Sequence, residues 1–292
     1  MSGKAKIIRT LCLALWTWSV TAALFALPSH SGDKTESVNV GYRFEKGHSD
    51  EYKFELSQEY EFKGHSFFTL FDIEFGEKCE ENANDSLFKM IISINKVSAT
   101  FKRNNEIQDI SLDEQMMNQS FAFNISPRGI VSELECEGYL EDEDEVMSLI
   151  KLLLISSYPY LPDSSLAEEG EWSFEGNTVK EEKSNTSMAM ESTAGFKVEE
   201  FKKEKGKNCA KIKTSAEIYM HGRIENEAGR FIIDGNGMEK GEAYFDISGG
   251  RIIKMKSQVE AEVTAVDASG TAAAKREVNT LNIVYNMKKE LK

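Results

Sequence analysis

Four histidines, four cysteines and one run of five acids are the side chains from which this sequence could build a reactive centre. Their spacing does not assemble one. His48, His65 and His221, with His30 near the N-terminus, stand outside metal-ligand spacing of one another and of every cysteine. No HExxH, GxSxG or GxxxxGK(S/T) pattern occurs. Gly235-Asn236-Gly237-Met238-Glu239-Lys240-Gly241 comes nearest to a nucleotide loop. Its third glycine falls one residue late for GxGxxG and no helix pattern follows, so it reads as a turn between strands. Glu141-Asp142-Glu143-Asp144-Glu145 lacks the spaced ligands of a calcium loop. It reads as the acidic start of a helix, where the macrodipole favours carboxylates. No catalytic residue, no metal ligand and no cofactor is predicted, and the protein is expected not to be an enzyme.

The elements that must carry these residues begin after a leader. Lys4, Lys6 and Arg9 precede an uncharged apolar run, Leu11 to Leu27, which Pro28-Ser29-His30-Ser31 ends. That is the layout of a secretory signal peptide over residues 1–31, and the run is at the short end for a membrane span, which takes about 20 residues. No stable transmembrane span is expected once it is removed. The expected compartment is therefore exported, periplasmic or secreted. The remainder keeps all 49 acidic residues and 32 of the 35 basic ones, a formal charge of 32 − 49 = −17. Such a chain is repelled by nucleic acid and by anionic lipid surfaces. Cys79, Cys136 and Cys209 remain, an odd number that permits one disulfide and leaves its pairing open.

Period-two alternation dominates from Val38 onward, as expected for strands with one apolar and one wet face. Val38, Val40, Tyr42 and Phe44 alternate into Lys46-Gly47-His48-Ser49, and Tyr52, Phe54, Leu56, Tyr60 and Phe62 follow, which predicts an antiparallel hairpin. A third strand is expected over Ser66–Phe75, a polar loop holding Cys79 over Gly76–Asp85, and a long strand over Leu87–Lys102. In that long strand the apolar phase changes between Ile94 and Val97, which predicts a bulge. Further strands are expected around Phe121–Ile125, Ala210–Met220, Phe231–Ile233, Ala243–Ile247, Ile253–Ala265 and Leu281–Met287. A strand pair is expected within Thr186–Phe201, and turns at Ser126–Gly129, Asp234–Gly237, Ser248–Gly250 and Asp267–Gly270. Phe121–Val131 and Ala243–Ile253 share an alternating approach, then Asn or Asp, Ile, Ser and a Gly-bearing turn. They read either as copies of one ancestral hairpin or as two hairpins drawing on the same turn residues.

One helix interrupts this pattern. Val146, Leu149, Ile150 and Leu153 share a face at i, i+3, i+4, i+7 spacing, and Met147, Leu152, Leu154 and Ile155 widen it to most of the circumference. Pro159 and Pro162 stop it. The expected fold is therefore mainly β: a strongly curved antiparallel sheet, or an open barrel, from two related halves with one central apolar helix. The halves are residues 32–140 and 170–292, with the helix and connector at 141–169. Such a helix either fills a core or acts as a lid whose face, Val146, Leu149, Ile150, Leu153 and Leu154, covers an apolar ligand such as a lipid.

Tyr42-Arg43-Phe44-Glu45-Lys46-Gly47, Leu161-Pro162 and Gly170-Glu171-Trp172, after a signal peptide, resemble an uncharacterised family of exported bacterial β proteins. In its overall pattern the chain is also similar to the periplasmic lipoprotein carriers, whose curved antiparallel sheet is covered by helices. That resemblance implies a non-enzymatic protein that binds or carries an apolar ligand; it transfers no functional residue. The other readings open to the sequence are an outer-membrane β-barrel, a structural or adhesive surface module and an extracytoplasmic hydrolase. Oligomeric state is not encoded in any pattern found.

Overall fold

The alternation resolves into one antiparallel sheet. The computed structural model describes residues 37–62, 65–104, 106–110, 120–137, 157–177, 181–183, 186–226, 229–267 and 278–292. Its strands are β1 (Ser49–Phe62), β2 (His65–Asn82), β3 (Phe88–Arg103), β4 (Glu106–Ile110), β5 (Ser120–Ile125), β6 (Val131–Glu137), β7 (Glu171–Asn177), β8 (Glu181–Lys183), β9 (Thr186–Glu204), β10 (Lys207–Asn226), β11 (Gly229–Asp246), β12 (Arg251–Asp267) and β13 (Val278–Leu291). Their order is β6-β5-β3-β2-β1-β13-β12-β11-β10-β9-β7, with β4 beside β3 and β8 beside β9. The first and last strands pair, Leu56 opposite Met287, so the two halves form one sheet over one core.

The sheet is strongly curved and open. β5 and β13 are four steps apart, about 19 Å along a flat sheet. Yet the Tyr158 ring packs on Phe123 of β5 at 6.0 Å and on the Lys289 ammonium of β13 at 4.7 Å. The sheet therefore curls around Tyr158, and its apolar face is the concave one. The end strands β6 and β7 do not pair among the described residues. Every neighbour on the path of eleven strands is antiparallel, so the two edges run the same way and cannot zip as an antiparallel pair.

Two irregular segments plug one end of the concave side. In residues 38–44, Val40, Tyr42 and Phe44 are buried. The alternation predicts the first arm of a hairpin here. The segment lies outside the sheet instead, with one isolated bridge, Val38 to Leu166, and its amides donate to turns: Tyr42 to the Pro127 carbonyl, Arg43 to that of Gly250. Its alternation is that of an extended chain inside the core. The second segment, the strap at residues 157–166, crosses the gap between the sheet's edges. Leu161 donates to the Arg128 carbonyl beside β6, and Tyr160 packs on Phe174 of β7 at 4.5 Å. The Arg128 guanidinium donates to Val40 O at 3.2 Å, to Asp163 O at 3.1 Å and to Pro162 O, and its Nε pairs with the Asp163 carboxylate.

Other expectations divide. The bulge falls where the phase change placed it: Glu74 pairs with Lys96 and Phe75 with Ile94, skipping Asn95. The turns at Ser126–Gly129 and Ser248–Gly250 form. The loop assigned to Gly76–Asp85 does not, because β2 runs on to Asn82 and Cys79 faces the core. Thr186–Phe201 is part of one long strand, not a pair. Asp234–Gly237 is not a turn either: it lies inside β11, where Gly235 and Gly237 face inward. A Cβ on Gly235 would meet Val263 at 3.0 Å, and one on Gly237 would meet Ala261 at the same distance. These glycines serve the close approach of β12, not a reversal of the chain. The expected helix, the leader and the Asp267–Gly270 turn beyond Asp267 lie outside the described residues. No helix element occurs among those that are described, and Ser157, in helical conformation, leads directly into the strap.

Gly129, at φ +89°, is where strap, turn and N-terminal segment meet. A Cβ there would lie 2.8 Å from the Tyr42 ring and 2.9 Å from Pro159 O. Gly47, at φ +86°, has nothing within 4 Å. Gly129→Ala should therefore destabilise by more than the roughly 1–3 kcal/mol of left-handed strain alone, and Gly47→Ala by no more than that strain. Urea denaturation of residues 32–292 checks the difference.

Candidate functional site

Beneath the strap the apolar face carries two charges. Glu77 of β2 and Lys289 of β13 both point inward, at 2 % and 1 % exposure, and Lys289 Nζ donates to Glu77 Oε1 at 2.8 Å. The ammonium also lies 4.0 Å from the Tyr52 ring centroid, 4.7 Å from Tyr158 and 5.5 Å from Phe75. Ring faces supply the negative potential that water would otherwise provide. Tyr42 packs edge-on against Tyr158 and Phe245, and its hydroxyl donates to Pro159 O at 3.0 Å. The Tyr52 hydroxyl donates to Ile252 O. Glu77 Oε2 and the Tyr158 hydroxyl are buried together at the pair, where the two groups interact.

The environment acts on each titrating group. Burial, reinforced by the nearby Glu77 charge, holds the hydroxyls of Tyr42, Tyr52 and Tyr158 protonated well above the ordinary tyrosine range. Burial lowers the pKa of Lys289, and Glu77 opposes that shift. Further along the concave face, desolvation raises the pKa of Glu239, against the Ser257 hydroxyl. Cys79 and Cys209 are free and buried. Burial raises both thiols, that of Cys209 to about 11, so neither is a ready nucleophile.

Of the side chains with chemical potential in the sequence, few come together. His48 joins a surface cluster: Arg251 Nη1 donates to His48 Nε2 at 2.6 Å and to Asp50 at 2.6 and 2.8 Å. This cluster ties the start of β1 to the start of β12. His65 and His221 stand apart from it. Among the described residues no group of three or more His, Cys, Asp or Glu side chains stands ready to hold a metal ion. The expected lid face, Val146, Leu149, Ile150, Leu153 and Leu154, and the acidic run 141–145 lie outside the described residues. Glu77 and Lys289 escape a reading by composition, although each continues an inward phase by one step, after Phe71-Ile73-Phe75 and after Met287.

The opposite face of the sheet is charged. Lys213, Glu217, His221 and Arg223 of β10 are exposed, as are Lys256, Glu260 and Glu262 of β12. A groove of 1090 Å³ crosses this face from β7 to β1.

No family model matches the chain, and no curated protein matches it. Among solved structures, similarity is found to OmpT of Vibrio cholerae, an outer membrane protein, in a form lacking loop L8. Identity is 9 % and the TM-score 0.24 over 85 % of this chain and 100 % of that one. OccK11 (OpdR) of Pseudomonas aeruginosa gives 9 % identity and a TM-score of 0.20 over 87 % of this chain and all of that one. At such scores the likeness assigns neither fold nor function.

Two predictions follow from the buried pair. Glu77→Gln or Lys289→Met alone should cost roughly 3–5 kcal/mol, by leaving one charge uncompensated, and Glu77→Leu with Lys289→Met should recover most of it. Denaturation of the three variants checks this. The second concerns alkali. Tyrosines 42, 52 and 158 stay protonated in the fold while the unfolded chain loses its phenolic protons near pH 10, so the native state binds more protons above that pH. Stability should fall there by up to about 1.4 kcal/mol per pH unit per tyrosine. Lys289 acts in the opposite sense below its ordinary value. Tyr158→Phe should lessen the slope, read from unfolding free energies against pH.

Proposed function

We propose that this is an exported bacterial β protein, acting by binding and not by catalysis, that holds an apolar ligand such as a lipid acyl chain on the concave face of its sheet. The observation that carries the reading is an apolar concave face in a sheet whose edges are not joined among the described residues. Among the described residues the strap bridges β6 and β7 at one end, and the interval beyond it gives an acyl chain a way in. Ala194 of β9 and Ala216 of β10, in register with Phe174, contribute only small side chains to this face. Residues 138–156, which link β6 to the strap, contain the apolar segment expected from sequence to act as a lid. The similarity to periplasmic lipoprotein carriers supports the same reading, as does the leader expected over residues 1–31, which favours a periplasmic or secreted location. Binding is favoured over catalysis because Glu77 and Lys289 are sealed beneath Tyr158, away from any substrate.

The outer-membrane barrel is the weaker alternative on a specific observation. Such barrels carry an apolar band about 25 Å tall on the face turned to lipid. Here the face turned outward carries the lysines and glutamates of β10 and β12, with Tyr219, Ile232 and Met238 exposed among them, and most of the apolar side chains are turned inward.

Trp172 reports on the gap. Trp16 and Trp18 lie in the expected leader, so it is the sole tryptophan of the mature chain. It stands on β7, stacked on Phe196 at 5.4 Å, with its indole N–H on Tyr160 O. Titration with a long-chain fatty acid or a lysophospholipid should shift its emission saturably, and Phe174→Asp should weaken that response. Emission unchanged up to the solubility limit of both ligands would overturn the assignment.

A further inference from the structure

The groove on the charged face is built from two rows that cross the strands. Strand register aligns the first as Glu171, Lys197, Lys213, Glu242, Lys256, Lys288 and Glu55, running from β7 to β1. The second row is Ser173, Gly195, Ser215, Lys240, Gln258 and Asn286. All of these line the groove. Each of five neighbouring strands, β9 to β13, thus contributes one lysine, at about 4.8 Å per strand step. In this acidic protein the lysines of the lining outnumber its glutamates.

The first row sets like charges side by side in two places, although each of its lysines also faces a glutamate on its other neighbouring strand. Lys197 stands directly opposite Lys213, and Lys256 directly opposite Lys288. Like charges in directly opposed positions destabilise a strand pair. Their present partners are weakly held: Lys197 pairs with Glu169 and Glu171, Lys213 with Glu199, Lys256 with Glu242, Lys288 with Glu290. Exposed pairs of this kind contribute about 0–1 kcal/mol each, so a competing anion displaces them at small cost. Lys240 stands in the second row, beside the amide of Gln258. The small side chains of Ser173, Gly195 and Ser215 open the groove at the β7 end.

We propose that this groove binds an extended acidic glycan, a chain of carboxylated sugars, lying across the strands. The lysine row meets the carboxylates. Ser173, Ser215, Gln258 and Asn286 offer the paired donors and acceptors that sugar hydroxyls need. The aromatic residues that line the groove, Trp172 and Phe196, belong to the apolar register, so among the described residues no base-stacking platform lines the groove itself, which disfavours single-stranded nucleic acid. The site lies on the opposite side of the sheet from the acyl-binding face and does not depend on it.

The test uses the mature chain and short oligomers of a polyuronate, with a neutral glucan and poly-glutamate as comparators, followed by calorimetry at low and high salt. The expected result is binding of the polyuronate that weakens with salt, and none of the glucan. Lys213→Gln/Lys256→Gln/Lys288→Gln should weaken it by about tenfold or more, with circular dichroism and the Trp172 response to acyl ligands unchanged. Gln258→Ala/Asn286→Ala should weaken binding of the glycan and leave any binding of poly-glutamate intact. Absence of polyuronate binding at low salt, or an unchanged affinity in the lysine variant, overturns the proposal. So does an amide variant that binds both polymers as the parent does, which would make the site one for acidic peptides.

Discussion

The ion pair between Glu77 and Lys289 is the interaction on which the arrangement of this molecule depends. It ties β2 to β13 across β1, the strand at which the two halves of the chain join. Burying two charges carries a large desolvation penalty, and attraction between them offsets it only with good geometry and well-chosen surroundings. Here the surroundings are rings. Tyr52 and Phe75 come from the sheet, and Tyr158 comes from the strap. Seating Tyr158 on the ammonium brings the strap across the opening, and the strap in turn reaches both edges, through Arg128 and Trp172. A polar element at the base of an apolar face thus determines where an otherwise featureless strap must sit.

The open edge has an equally simple cause. An antiparallel path with an odd number of strands ends in two edges that run the same way. Closing it would require a parallel pair between short strands, or one further element. The chain instead leaves β6, returns through the strap and starts β7. Glycines 129 and 250 allow this packing, because turn, strap and N-terminal segment approach more closely than a Cβ permits. The same strands present two unlike surfaces. The inward one is apolar and shaped by Tyr42, Phe44 and Tyr158. The outward one carries charge in rows that strand register aligns.

Much of this architecture is legible in the sequence because period two is a strong signal. The strands, the bulge at Asn95 and the turns after Ile125 and Ile247 follow from alternation and turn chemistry. Three misreadings have physical causes. Val38 to Phe44 alternates like a strand, yet hydrogen bonding, not periodicity, decides sheet membership, and its amides reach turns. Asp234-Gly235-Asn236-Gly237 has turn composition, but glycine also serves where two strands come close, and sequence alone does not separate these uses. Polar composition predicts a loop around Cys79, although Phe75, Glu77 and Cys79 keep the inward phase. Stopping that strand at the last apolar residue also concealed the candidate site. A glutamate and a lysine, far apart in sequence, each continue an apolar row, and only the pairing of β1 with both β2 and β13 brings them together.

The central claim is that the concave face receives an apolar ligand through the unjoined edge. Native mass spectrometry of the protein, purified without detergent from the cell that makes it, tests it most directly. The account predicts a population whose mass exceeds that of the chain by a lipid or fatty acid and reverts to the bare mass on delipidation. It also predicts that the population reforms on incubation with a lysophospholipid. A bare chain in every sample, including after that incubation, would contradict it.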